Sequence, residues 1–134
     1  MATYNKFQAW VDYLTEGVNC SSDQFVVALT NSAPSATNSI LTDITQISYT
    51  NCSSRNLTTA SSSQSSGTYS LVVNDLTLTA SGGSVGPFKY VVVYDDTVAN
   101  DPLVCWYEYP GSAITLADTE VLLINFGASL FTLA

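Results

Sequence analysis

Two rhythms of apolar and polar positions run along this chain. In the first segment Tyr4, Phe7, Trp10, Val11, Leu14 and Val18 recur at spacings of three and four. That is the period of a helix with one apolar face. The spacing predicts a helix over about 4–17, with Thr3 as its N-cap and Gly17 as its stop. Its face is unusually aromatic, with Tyr13 on the flank. Such a face either covers one end of a sheet or docks on a neighbouring subunit.

From about residue 23 the period falls to two. Gln24–Thr30 is apolar on both faces and reads as a central strand. Asn31–Ser35 is a loop. Ile40, Leu41, Ile44 and Ile47 return to a helical spacing over one or two turns, which predicts a short helix or a lid-like loop over 37–47. Residues 48–67 are rich in Ser, Thr and Asn, and read as flexible chain or as an exposed edge strand near 57–64 that turns at Gly67. Alternation then dominates. Tyr69, Leu71 and Val73 form one run, and Leu76 and Leu78 follow a bend at Asn74-Asp75. Phe88, Tyr90, Val92 and Tyr94 form another, then Leu103, Cys105, Tyr107 and Tyr109. Ile114 and Leu116 mark a short strand, and Val121–Phe126 reads as a buried one before Leu130, Phe131 and Leu133 finish the chain. Short strands with turn signals every roughly 8–12 residues mark a sandwich or barrel. The expectation is one domain over 1–134, mostly β. It is an antiparallel β-sandwich of jelly-roll-like form over about 23–134, behind one N-terminal helix.

Composition changes the picture of the surface. Charged residues make up 10 % of the chain, against about 25 % in average proteins. Ser, Thr, Asn and Gln must supply the polar surface. They are cheaper to desolvate than Lys or Glu, so they suit either a quiet solvent face or lasting contact with protein. The net charge of −8 sets Lys6, Arg55 and Lys89 against eleven acids. Three scattered cations cannot displace phosphate counterions, so no nucleic acid is expected as partner. An anionic membrane is disfavoured for the same reason, and no apolar run reaches the roughly 18 residues of a spanning helix. Met1–Lys6 lacks the basic-then-apolar order of a signal peptide, which predicts a cytoplasmic origin.

Candidate chemistry is thin. The chain has no histidine, which removes Ser-His-Asp and Cys-His systems and His-ligated metals. No phosphate-cradling motif is present, and Gly82–Gly86 reads as a tight turn opening a strand. Cys20, Cys52 and Cys105 are odd in number and fit neither a zinc site nor a disulfide framework. Cys105 reads as a buried thiol, and a Cys20–Cys52 bridge has no support beyond the two residues themselves. Asp95 and Asp96 are neighbours on a strand and point to opposite faces, so they do not form a catalytic pair. The only metal candidates are Asp95, Asp96 and Asp101, whose oxygens suit calcium and whose plainer role is in solvated turns. Trp106, Tyr107 and Tyr109 with Trp10 belong to the core, to a protein interface or to a sugar-stacking platform. No catalytic residue and no cofactor is expected, and the chain does not read as an enzyme.

Several stretches carry a resemblance when taken in order. They are Val27–Pro34, Ala36–Ile44, Thr79–Tyr90, Tyr94–Thr97, Pro102-Leu103 with Trp106, and Thr115–Glu120. This series resembles small virion proteins of tailed bacteriophages. It looks most like the cement or decoration proteins that bind the outside of the capsid. It spans about residues 25–126, without the stretch 50–66. The resemblance implies a domain that self-associates as a dimer or trimer and bridges major capsid subunits on the capsid exterior of the virion, assembled in the bacterial host cytoplasm. The residues expected at the contact are Tyr4, Phe7, Trp10 and Tyr13 of the helix, the loop 50–66, and Leu130, Phe131 and Leu133 of the tail. On this view, deleting residues 1–16 weakens capsid binding more than folding. Two other readings fit the same sequence: a tail or baseplate component, and a carbohydrate-binding module for host adsorption.

Overall fold

In the computed structural model, which describes residues 2–134, the chain runs β1 (Thr3–Lys6), α1 (Trp10–Glu16), β2 (Phe25–Thr30), β3 (Thr59–Ser65), β4 (Thr68–Val73), β5 (Leu76–Thr79), β6 (Val85–Phe88), β7 (Tyr90–Asp95), β8 (Leu103–Glu108), β9 (Ile114–Leu116), β10 (Val121–Ile124) and β11 (Phe131–Leu133). The fold is mostly β, with one α-helix, and the paired strands are antiparallel. The largest sheet has the order β1-β8-β7-β2. Smaller sheets pair β11-β4-β3, β10-β5 and β6-β9. These orders do not spell out a jelly roll.

Strands β2, β7 and β8 of the large sheet are buried on both faces. Phe25, Val27, Leu29, Val91, Val93 and Tyr107 face the main core, where they meet Leu71 and Val73 of β4, Leu78 of β5, Phe88 of β6 and Ile124 of β10. Val26, Ala28, Val92, Tyr94 and Trp106 face a second core closed by Phe7 and Ile44. The expected alternation of Leu103 with Cys105 and Tyr107 is broken by a bulge. Val93 pairs with Cys105 but Tyr94 pairs with Leu103, so Val104 is the extra residue. Leu103 therefore faces the second core, while Val104, Cys105 and Tyr107 face the main one. Parity also switches at Lys89. Phe88 faces the main core, and Tyr90 packs on the second.

The N-terminal segment departs from the expected helix. Thr3–Lys6 is an edge strand whose Tyr4 lies opposite Tyr107, and the helix is only Trp10–Glu16. Thr3 is thus in a strand, and the N-cap is Ala9, with no capping side chain. Thr, Tyr and Asn are modest helix formers, and the open edge of β8 offers their backbone a ladder. Gly17 does end the helix, its N–H bonded to Tyr13 O.

The polar stretch divides in two. Residues 46–57 are irregular but cover the outer edge of β2. Val27 N–H bonds Arg55 O, Leu57 N–H bonds Phe25 O, and Ile47 N–H bonds Leu29 O. The Arg55 guanidinium donates to Val27 O at 2.6 Å and lies over the Tyr49 ring at 3.6 Å. So β2 is last in its sheet yet paired on both sides. Beyond it, β3 is the expected exposed, serine-rich edge strand, and Ser66-Gly67, both at positive φ, turn it into β4. Over 37–47 the only helical element is a single 3-10 turn at Leu41–Asp43, where the Asp43 carboxylate accepts the N–H groups of Ser39 and Ile40.

Candidate functional site: an apolar groove between two open strand edges

Two edge strands, β1 and β11, come together beside helix α1. β1 pairs only with β8, and β11 pairs only with β4. The three elements enclose a groove of about 440 Å³. Tyr4, Trp10, Val11, Leu14, Leu130, Phe131 and Leu133 give it an apolar lining, with Lys6 at its side. Trp10 forms the floor. It is 2 % exposed, and its ring meets Phe25 and Phe131 edge-on, at 6.2 and 5.6 Å between centroids. Tyr4 stands edge-on to Tyr107 at 5.4 Å and leaves its other side open. Such T-shaped pairs hold ring orientations firmly, so the groove walls are set by the core behind them.

Of the expected contact residues, Tyr4, Trp10, Leu130, Phe131 and Leu133 come together here. Trp10 and Leu130 are buried and act as floor and support rather than as contact surface. Phe7 is elsewhere. It is fully buried in the second core, against Trp106 at 4.6 Å. The reason is that β1 ends at Lys6, so Phe7 points across the sheet instead of along a helix face. Tyr13 is half-buried against the main core and does not line the groove. The backbone of the 46–57 part of the polar loop is spent covering β2, and the open surface within 50–66 consists of β3 with its turn and single exposed side chains such as Ser54 and Asn56. Val11, on the apolar face of the expected helix, is 50 % exposed in the groove. Sequence reasoning also passed over β10. Val121 and Leu123 are 61 % and 58 % exposed on a strand expected to be buried. All four residues of Val121–Ile124 are apolar, so no alternation of residue type marks which side of β10 is open.

None of the remaining candidates lines the groove. Asp95 is buried at the end of β7, with Oδ1 accepting the N–H groups of Thr97 and Val98. Burial first, and then the neighbouring Asp23 carboxyl, push its pKa up to about 7. Its Oδ2 is buried without a hydrogen-bond partner. A carboxyl that holds a proton is the opposite of a cation ligand. Asp96 is exposed on the other side of the strand. Among the described residues no three acidic, Cys or His side chains converge, so Asp95, Asp96 and Asp101 are not brought together as a ligand set. Cys20, Cys52 and Cys105 are free thiols. Burial pushes Cys105 far above its usual range, which leaves it protonated and inert as a nucleophile. Trp106 and Tyr107 are both buried and Tyr109 is half-buried, so this strand presents no open aromatic platform. No helix among the described residues is long and apolar enough to cross a membrane.

No family model, no curated protein and no solved structure matches this chain.

Proposed function

We propose that this protein is a structural subunit that works by packing against other proteins, and specifically a bacteriophage capsid cement that binds the outer shell and bridges major capsid subunits. The observation that carries the reading is the groove: an apolar trough flanked by two open strand edges on an otherwise serine- and threonine-rich surface. Open edges beside an apolar trough suit the addition of an extended segment, in which the backbone supplies affinity and the side chains supply register. The low charge density and the ordered resemblance to virion proteins support the same reading. Affinity on a shell would come from many modest contacts made at once.

The test is quantitative mass spectrometry of purified virions of the phage that encodes the chain. A copy number comparable to that of the major capsid protein is expected. A count of a few per particle places the protein in the tail or baseplate, and absence from the particle overturns the structural reading.

A further inference from the structure

We propose that the groove between β1, α1 and β11 is the seat for a second copy of this chain, which fills it with the edge strand β10. Among the described residues the exposed large hydrophobics are Tyr4, Val11, Leu133, Val121 and Leu123. The first three line the groove, and the last two lie on β10. Among the described residues the large exposed apolar side chains are thus divided between this groove and strand β10, where Leu123 borders a hollow with Tyr107, Tyr109 and Phe126. β10 pairs only with β5, and its outer edge is open. Val121 and Leu123 project outward while Ile124 is buried in the main core. An edge of this kind, apolar and unprotected by Lys or Pro, is a template for strand addition.

Charge points to the same occupant. The chain carries −8 with only three cations. Arg55 is committed to Val27 O and the Tyr49 ring, and Lys89 pairs with Glu108 at 3.7 Å. Lys6, beside the groove, has no acidic partner among the described residues. Its complement would be an extended apolar strand with an adjoining carboxylate. β10 is such a strand, because Glu120 precedes Val121 directly. One Glu120 oxygen accepts the Ala117 N–H, which leaves the other for a partner. Seating β10 would set Val121 and Leu123 on Val11, Leu14 and Leu133, and Glu120 near Lys6. Acceptor and donor are different patches, so the contact is reciprocated across a two-fold or closes as a ring. It uses the same groove as the reading above but names a second copy of this chain as its occupant, so self-association and virion copy number test the two separately.

Sedimentation velocity on the full chain over a wide concentration range tests it. The wild type is expected to self-associate. Leu123→Lys, at an exposed position that leaves the melting temperature unchanged, should weaken association by about tenfold or more. Lys6→Glu should weaken it, and adding Glu120→Lys to the same chain should restore it. In a mixture of isotopically heavy and light protein, a carbodiimide should join Lys6 of one copy to Glu120 of another. A wild type that stays monomeric throughout, or an oligomer indifferent to all these substitutions, overturns the inference. A monomer that still coats virions overturns this contact and spares the capsid reading. An oligomer absent from virions does the reverse.

Discussion

Asp95 shows how one residue can set the pH response of the molecule. Its carboxyl is raised to about 7 in the folded chain by burial and by Asp23, whereas an unfolded Asp titrates near 4 (about 3.9). Between those values the folded state holds more protons than the unfolded state, so its stability falls as pH rises from about 4 to 7 and then levels off. Urea denaturation at about pH 5 and about pH 8 should therefore give the higher midpoint at the lower pH. Asp95→Asn keeps an oxygen for the Thr97 and Val98 N–H groups and offers Asp23 a neutral donor. It should flatten that slope and leave the protein at least as stable at pH 8. Gly86 makes a second residue-scale case. It sits at φ +126°, and a Cβ there would stand 2.6 Å from Ile114 O of β9. Both terms are backbone terms that no rotamer relieves. Gly86→Ala should cost about 2–4 kcal/mol, read as a lower melting temperature.

At the scale of elements, the exposed and buried sides of α1 should behave differently. Trp10→Ala removes the groove floor and a main-core side chain, and should cost about 3–5 kcal/mol. Val11→Glu, half-exposed on the same helix, should cost under about 0.5 kcal/mol while reducing occupancy on purified capsids. Deleting residues 1–16 would strip β1, Phe7 and Trp10 from both cores, so it should unfold the protein rather than cleanly separate binding from folding. The elements differed in how well they could be read from sequence. Strands β4 and β5 were legible because side-chain alternation is local and one face of each meets the core; β7 and β8, buried on both faces, were legible as strands, while the facing of their residues was set by a bulge. Thr3–Lys6 was not, because Tyr4, Phe7 and Trp10 keep helical spacing while facing three different environments. Only the open edge of β8 decides that the segment is a strand, and that edge is made by residues a hundred positions away. The groove was half legible. Aromatic and aliphatic residues at both ends of the chain suggested contact surface. Which of them form the floor depends on β11 lying beside α1, and no local pattern encodes that.

As a whole molecule, the fold is two cores sharing one wall. The sheet β1-β8-β7-β2 contributes side chains to both, and neighbouring residues on one strand point into different cores. Loss of either core exposes the back of the other, so unfolding should be cooperative. Phe7→Ala in the second core and Leu71→Ala in the main core should each lower one and the same transition, by about 3–5 and 2–5 kcal/mol respectively. Tryptophan fluorescence and far-ultraviolet dichroism should report coincident midpoints in both variants.

The scarcity of cations has a consequence for proteolysis. Trypsin has three residues to act on, and two are held within the fold: Arg55 by its bond across to β2 and Lys89 where Thr30 O accepts its N–H between β6 and β7. The third, Lys6, ends an edge strand beside the groove. Cleavage should begin after Lys6, once fraying of the edge strand β1 frees the bond before Phe7, and a seated strand should suppress it. Nicking at a single position thus becomes a footprint of groove occupancy, measurable on protein in solution and on intact particles alike.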